Sequence, residues 1–493
     1  MIDDMLKRYI SEFITKYKKM SVVTKAALWF TFATVLQKGI SFFTVPIFTR
    51  IMSTEQYGIF SVYLSWISVL TILGGMDFHT CIYINNLSKM ENEKEKNELA
   101  VSLIDLSFLI TLCWLIVYLI APTFWNSVLG IPESIVVLMF AEVFFIPVVN
   151  LWSTKQRYNY RYKTLVAWTV GQVFLNALFG IVFVLLAKSN NQAFARVFSI
   201  ALVQVLFGTI LIVSYVKKAH KIIVTKWWKK ALQLHIPLLP HSLSLTVLSS
   251  ADRVMINSMV GATETAIYSV AYSASMVINL IKLSITQAMT PWIYECIKHK
   301  RYESIKKNCN AVMLLVMLMS FLFILFAPEL IWIVGSNEYY EAIYVIPPVA
   351  ASVFFTFLYS VFSAVEFYYE QTQKIMYASV GAAVLNVILN AIFIRAFGYI
   401  AAGYTTLACY LFLSVAHYCV MKKAVKDNIG DVELFDMRFI LTLGIVVIFS
   451  TAFFSLLYSH TIIRYAVIAI AVLGIYLNRN WLVNAIKMVK KKS

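Results

Sequence analysis

Apolar runs long enough to cross a lipid bilayer recur from one end of this 493-residue chain to the other. A spanning helix needs about 20 mostly apolar residues, because the hydrocarbon core is roughly 30 Å thick and each backbone polar group must be satisfied within the segment. Hydrophobic residues make up 60% of the chain and charged residues only 14%, unlike a soluble domain. The sequence therefore predicts an all-α polytopic membrane protein.

About 14 transmembrane helices are predicted from these runs. They cover residues 26–48, 59–76, 99–121, 135–152, 165–187, 194–216, 232–259, 266–292, 311–334, 342–366, 375–394, 400–421, 439–458 and 462–477. The predicted organisation is a cytoplasmic amphipathic segment at 1–25, two six-helix bundles at 26–227 and 228–437, and a C-terminal helix pair with a basic tail at 438–493. Pro237 and Pro240 fall in the seventh run, where they predict a kinked or discontinuous helix.

Lysine and arginine are distributed unevenly among the predicted loops. With the N-terminus inside, most of them lie in cytoplasmic segments, and the even number of spans returns the basic tail to the same side. Both termini are therefore predicted to be cytoplasmic. The net charge of +17 follows from this topology and from attraction to anionic lipid, and does not indicate nucleic-acid binding.

Several catalytic and cofactor-binding patterns are missing from the sequence. The six cysteines show no CxxC spacing and no histidine cluster, which argues against disulfide and zinc sites. No G-x-x-x-x-G-K-[ST] loop is present, and the predicted external loops are too short for a catalytic domain. We therefore expect no enzymatic activity and no cofactor, so that uphill transport would draw on an ion gradient or a partner.

An internal repeat is indicated by two similar segments. Residues 54–63 read TEQYGIFSVY and residues 263–272 read TETAIYSVAY, which match after a shift of one position. Their separation by six predicted spans would give two halves of like orientation.

The segment PIFTRIMSTEQYG at residues 46–58, together with DRVMIN at 252–257 and the second repeat segment, resembles the Wzx-type polysaccharide flippases. These belong to the multidrug/oligosaccharidyl-lipid/polysaccharide exporter superfamily. The resemblance implies a V-shaped pair of six-helix bundles with two further helices, working by alternating access in the bacterial cytoplasmic membrane. It also implies transport of polyprenyl-diphosphate-linked oligosaccharide to the outer leaflet, where a polysaccharide polymerase or ligase acts. O-antigen, capsule, exopolysaccharide and wall polymers remain open as products.

Away from the ends of the predicted spans lie three basic residues: Lys38 in the first, Arg253 in the seventh and Lys282 in the eighth. A charge at the bilayer centre costs from about 2.5 kcal/mol upward, so such residues rarely face lipid. Polar residues share helical faces with them, either to line a cavity or to hold helices together. The predicted residues for binding the diphosphate and sugar are Lys38, Arg253, Lys282, Ser249, Asn257 and Asn279.

The candidates for coupling to a proton or sodium ion are three acidic residues in or near the predicted spans, Glu142, Asp252 and Asp77. Structural pairing is the alternative. Asp252 and Arg253 point about 100° apart on a helix, so they cannot pair face to face, and Asp252 is expected to neutralise a charge on another helix.

Two pairs of amide side chains lie one helical turn apart, Asn386 with Asn390 and Gln172 with Asn176. They are predicted either to bind sugar hydroxyls or to join neighbouring helices.

Two further functions compete with flipping. An ion-coupled exporter of small organic cations belongs to the same superfamily, but it should carry more carboxylates than lysines in its cavity. A scaffold for a glycan-assembly complex would not need costly polar residues inside its spans.

Overall fold

The computed structural model describes residues 20–477, which form helices and turns without any β-strand. Within this range there are nineteen α-helices: α1 Val22–Ile51, α2 Thr54–Gly75, α3 Ile84–Leu87, α4 Glu93–Ile120, α5 Pro122–Leu129, α6 Glu133–Tyr158, α7 Tyr162–Leu186, α8 Gln192–Ala219, α9 Trp228–His235, α10 Leu239–Met259, α11 Ala262–Ala274, α12 Met276–Lys298, α13 Tyr302–Leu325, α14 Ala327–Val334, α15 Ile346–Tyr368, α16 Thr372–Phe397, α17 Ala401–Ile429, α18 Met437–Leu456 and α19 Thr461–Leu477. Most of the predicted amphipathic segment at 1–25, and the basic tail beyond residue 477, lie outside the described residues.

Twelve helical segments of the described chain are long and apolar enough to cross a bilayer. The bent pair of α11 and α12 makes a thirteenth if it is taken as one span, and α19 contains a shorter apolar stretch. The protein is therefore an all-α multi-pass membrane protein, as predicted, with about as many spans as the apolar runs indicate.

Two of the predicted spans are interrupted. In the seventh, a 3-10 turn at Ile236–Leu238 separates α9 from α10. Pro237 and Pro240 lack the amide hydrogen that a continuous helix would use, and the predicted discontinuity is confirmed. In the eighth, α11 and α12 meet at Ser275 with a bend of 40°, and no proline or glycine marks this break in the sequence.

The described chain divides into two compact units. The first comprises the residues up to Thr44 and Leu70–Leu239, and the second comprises Val45–Val69 and the chain from Pro240 onward. The segment Val45–Val69 thus packs with the second unit.

The first unit has its core on α4, α6 and α8. Leu103, Val148 and Leu211 from these helices are buried together. The segment that follows α8 is held against α4, where the Val224 amide donates a hydrogen bond of 2.8 Å to Asp105. The chain therefore leaves the last span of this unit along a fixed path.

Helix α15 lies at the centre of the second unit. Of its spanning window, 83% is buried inside the protein, against 11% for α7. Phe354 and Phe357 of α15 pack with Val316 of α13 and Val447 of α18. A helix that is apolar all round and covered on every side needs no lipid, whereas the exposed apolar side chains of α7 do.

The junction between α1 and α2 is attached to α14 within the second unit. Thr49 donates to the carbonyl of Val334 at 2.8 Å, and Arg50 donates to the carbonyls of Trp332 and Ile333 at 3.2 and 3.3 Å. The last carbonyls of a helix have no partner within it, and a basic side chain commonly satisfies them. Thr49 and Arg50 therefore cap the C-terminus of α14.

The two similar sequence segments meet in the second unit. Each forms the first turns of a helix, α2 and α11 respectively. A Cβ atom on Gly58 would lie 1.8 Å from the carbonyl oxygen of Ala262, so the two backbones touch at a position that only glycine allows. The internal duplication itself stays a prediction.

Candidate functional site

Arg253 is held in position on α10 by two contacts. Its Nη1 donates to the carbonyl of Ser249 at 3.0 Å, and its Cζ lies 4.4 Å from the ring centroid of Tyr272 on α11. A cation over an aromatic face is attracted by the ring quadrupole. Arg253 forms no salt bridge with any described residue, so several of its donors stay available for an anion.

Lys282 on α12 is part-buried and reaches α15. Its Nζ donates to the hydroxyl of Thr356 at 3.3 Å, and no carboxylate among the described residues lies within salt-bridge distance. The structure therefore places two cations without acidic partners, Arg253 and Lys282, in the same unit.

The uncharged members of the predicted set mainly bond to their own helices. Ser249 donates to the carbonyl of Thr246 at 3.0 Å, and Asn279 donates to the carbonyl of Ser275 at 3.2 Å. Asn257 is part-buried on α10, one helical turn after Arg253. Ser249 and Asn257 thus share the side of α10 that carries Arg253.

Asp252 is the centre of a buried polar network and is fully enclosed. It accepts hydrogen bonds from Tyr268 at 2.6 Å, Asn390 at 2.7 Å and Thr406 at 2.7 Å, which come from α11, α16 and α17. The expected charged partner on another helix was wrong, because all three donors are neutral. Four helices therefore meet at one carboxylate.

The amide pairs join helices rather than lining a sugar site. Asn386 and Asn390 are fully buried, and Asn390 donates to Asn386 at 3.2 Å as well as to Asp252. Gln172 bonds to Gln204 at 2.8 Å. In this structure Asn386 and Asn390 therefore have the helix-joining role, which is one of the two roles predicted for them.

Asn176 also joins neighbouring helices. Both its backbone carbonyl and its side-chain oxygen accept from Nη1 of Arg196, at 3.0 and 2.7 Å. Arg196 is itself only 8% exposed and lies on α8, while Asn176 lies on α7. This contact orients an arginine inside the first unit.

The first unit contains the remaining predicted residues. Lys38 lies on α1, with its side chain outside the described part of the structure. Glu142 is buried on α6, with 3% of its surface exposed. Asp77 follows α2 in the left-handed region, with φ of 47°, and lines a small cavity with His79 and Asn150.

His79 is affected by its surroundings in this cavity. Burial lowers its pKa below the ordinary value, Asp77 opposes that shift, and Arg157 adds to it. His79 is therefore favoured in its neutral form, beside a carboxylate that is held by an unusual backbone turn.

A buried ionisable pair was missed in the sequence. Glu366 on α15 and His417 on α17 are both fully enclosed, with Oε2 and Nδ1 only 2.8 Å apart. Each falls within or at the end of a predicted span, and an ionisable residue there was the available signal. Their separation by 51 positions hides the pairing from any local pattern.

Family models match this chain over two overlapping regions. The polysaccharide biosynthesis protein family matches residues 23–297, and the MatE family matches residues 237–392. The first match covers more than half of the chain. Among curated proteins, none is significantly similar in sequence.

Solved structures of the same fold cover most of the chain. The lipid II flippase MurJ in an inward closed conformation has a TM-score of 0.70 at 14% identity, covering 92% of this chain and 100% of that chain. An inward-facing multidrug resistance MATE transporter has a TM-score of 0.63 at 15% identity, covering 81% and 96%. A transporter of the same superfamily from Pyrococcus furiosus has a TM-score of 0.54 at 13% identity, covering 82% and 96%. At these identities the likeness shows the fold alone.

The matched families consist of flippases and transporters, and the structural matches share their all-α membrane fold. The resemblance seen at residues 46–58 and 252–257 points the same way. This chain belongs to the polysaccharide biosynthesis protein family, among the flippases of the multidrug/oligosaccharidyl-lipid/polysaccharide exporter superfamily.

Proposed function

We propose that the protein moves polyprenyl-diphosphate-linked oligosaccharide units from the cytoplasmic to the outer leaflet by alternating access, for cell-surface polysaccharide biosynthesis. The observation that carries this proposal is the pair of cations in the second unit, Arg253 and Lys282, which have no carboxylate partner among the described residues. A cation inside the membrane is costly unless an anion or water meets it. A diphosphate offers several charged oxygen acceptors, which suit both a guanidinium and an ammonium group.

Family membership supports the lipid-linked class of substrate, because the family is described by polysaccharide biosynthesis. The fold is also that of a lipid II flippase, whose cargo is lipid-linked. In this proposal Ser249, Asn257 and Asn279 contribute hydrogen bonds on the helices that carry the two cations, and Lys38 on α1 stays the candidate cation of the first unit.

Coupling to an ion gradient forms the second part of the proposal. Of the three acidic candidates, Asp252 is the one whose surroundings are fully described: it is enclosed, and one amide and two hydroxyl groups donate to its carboxylate, so that a proton could take the place of a donor. Glu142 and Asp77 remain candidates in the first unit. Replacing Asp252 with Asn should abolish any dependence of transport on the ion gradient, while Glu142→Gln tests the alternative.

The cellular setting follows from the proposed activity. We place the protein in the bacterial cytoplasmic membrane with both termini inside, where membrane lipids surround it and a polysaccharide polymerase takes its product. Fusion of a cytoplasm-active reporter to either terminus tests the orientation. Activity of a reporter that works only outside the cytoplasm, fused to either terminus, would contradict the proposed orientation.

Export of small organic cations is the second candidate, and the match of residues 237–392 to the MatE family favours it. The unpaired Arg253 and Lys282 argue against it, because they would repel a cationic solute. Resistance to cationic drugs on expression in a sensitised host, lost in Asp252→Asn, would support export in place of flipping.

The deciding experiment compares Arg253→Gln and Lys282→Gln in cells that lack the chromosomal copy. Mass analysis of extracted lipids should show completed polyprenyl-diphosphate-linked units accumulating by at least about tenfold if each cation contributes about 1.4 kcal/mol to the transport step, and an accessibility assay on intact membranes should place them on the cytoplasmic face. Lys298→Gln, at the exposed end of the same helix as Lys282, is the matched control and should behave as wild type. Normal lipid pools in both variants, at normal protein levels, would remove the cations from the site.

A further inference from the structure

Glu366 and His417 form an isolated ionisable pair inside the second unit. Neither side chain is exposed at all, and Oε2 of Glu366 lies 2.8 Å from Nδ1 of His417. Burying two ionisable groups costs several kcal/mol for each charge, and their mutual attraction offsets this only when the other polar atoms are also satisfied.

Those other atoms are not satisfied. By hydrogen-bond geometry Oε1 of Glu366 and Nε2 of His417 have no partner in the part of the chain that the structure describes, and the nearest further donor to the carboxylate is the backbone amide of Met421. Each unpaired buried polar atom costs about 1 to 3 kcal/mol, so an apolar pair of the same size would join α15 and α17 more firmly. A purely structural clamp is therefore a poor account of these two residues.

The net charge of the Glu366 and His417 pair depends on the number of protons that it holds. With one proton shared between the carboxylate and the imidazole, the pair is neutral overall, whichever group holds the proton. Loss of that proton leaves one negative charge in a closed site, and uptake of a second leaves one positive charge. The pair thus holds a single exchangeable proton, and its two unpaired atoms are where a proton or water would attach.

The surrounding groups are few. The ring of Tyr359 on α15 lies 4.7 Å from that of His417, and His241 on α10 lies within electrostatic range of His417. His241 in turn bonds to the hydroxyl of Ser379 on α16 at 3.0 Å. The neighbouring helices α13 and α18 pack on α15 through apolar side chains such as Val316 and Val447. No other salt bridge to Glu366 or His417 exists among the described residues.

The same two helices also carry the contacts of the proposed transport site. Thr406 on α17 donates to Asp252, and His417 follows it by eleven residues, which is about three turns and about 16 Å along the same face. Thr356 on α15 binds Lys282 and precedes Glu366 by ten residues, about 15 Å. A rearrangement at the pair therefore acts on both helices that position Asp252 and Lys282.

We propose that Glu366 and His417 form a proton-binding site, separate from Asp252, which takes up one proton from water and releases it to water as the second unit rearranges. The proton is the only species transferred, and no covalent bond between other atoms changes. Its use in transport rests on the proposed function, whereas the binding of the proton does not.

Infrared difference spectroscopy of the purified full chain, titrated between about pH 5 and about pH 9, tests proton binding without any substrate. Wild-type protein should show a protonated carboxyl band, or an imidazolium band, that is lost as the pH is raised. The difference spectrum of Glu366→Gln should lack this pH-dependent change. His417→Gln should shift the midpoint of the remaining carboxyl titration. Glu303→Gln and His299→Gln, at exposed positions, are matched controls and should leave these bands unchanged.

A wild-type spectrum in which the Glu366 carboxylate and His417 stay in one protonation state across this range would overturn the proposal and leave the pair as a fixed ion pair. If Glu366→Gln fails to fold, Glu366→Asp keeps the carboxylate and should shift the titration without removing it. Normal titration together with loss of lipid flipping in Arg253→Gln would separate this site from the transport site. Titration without any flipping in wild type would contradict the proposed function alone.

Discussion

Replacement of Gly58 by alanine tests the contact between α2 and α11. The added Cβ would lie 1.8 Å from the carbonyl oxygen of Ala262, whereas a carbon and an oxygen need about 3.3 Å. One helix must therefore move by about 1.5 Å, and both atoms in conflict are fixed by helical backbone rather than by a flexible side chain. Overpacking of this kind costs about 1 to 3 kcal/mol, and we expect the upper end of that range.

Purified Gly58→Ala protein should aggregate at a lower temperature than wild type. Samples heated to a series of temperatures and then run on size-exclusion chromatography measure this. Gly381→Ala is the matched control in the same unit, because its Cβ would meet the ring of Phe412 at an ordinary contact distance of 3.6 Å. The alanine at position 381 should change stability little or raise it, since alanine favours a helix over glycine by up to about 1 kcal/mol. Equal stability of the two variants would refute the close approach of α2 and α11.

Three other changes test separate features. Asn390→Leu removes the amide that donates to Asp252 at 2.7 Å and should lower the free energy of unfolding, measured by thermal denaturation, by about 1.5 to 3 kcal/mol. Unchanged stability would mean that the hydrogen-bond network around Asp252 is not formed. Arg50→Gln removes the arginine that caps α14 and should lower the free energy of unfolding by about 1 kcal/mol. Proteolysis near α14 should become faster, and an unaltered cleavage rate would contradict this prediction. Because burial lowers the pKa of His79, the unfolded state binds more protons than the folded state, and the free energy of unfolding falls as the pH drops below about 6.5. His79→Gln should weaken this fall. A plot of stability against pH that runs parallel to that of wild type would contradict it.

The membrane-spanning plan could be predicted because each span satisfies its own backbone hydrogen bonds, so that a local run of apolar residues is enough. The break between α9 and α10 was also predictable, because Pro237 and Pro240 act locally. The bend at Ser275 was not, since no residue there is unable to continue a helix. No local signal in the sequence therefore predicts that bend.

The polar sites were harder to predict because they depend on which faces of distant helices meet. Asp252 and Lys282 were identified as intramembrane charges, but the donors of Asp252 lie up to 154 positions away. The amides of Asn386 and Asn390 were compatible with sugar or with protein, and only the packing of α16 against α10 and α17 decides between these partners. Glu366 and His417 carried the same signal as the other intramembrane charges and were overlooked.

The capping of α14 has a consequence for sequence variation and for labelling. Arg50 and Thr49 hydrogen-bond to α14 through its backbone carbonyls, which every amino acid provides. The side chain of Trp332 is 76% exposed and that of Ile333 is 49% exposed, so neither is needed for the contact. Relatives can therefore vary at both positions while keeping the attachment, and a cysteine at Trp332 would carry a spectroscopic probe that reports when Arg50 leaves the end of α14.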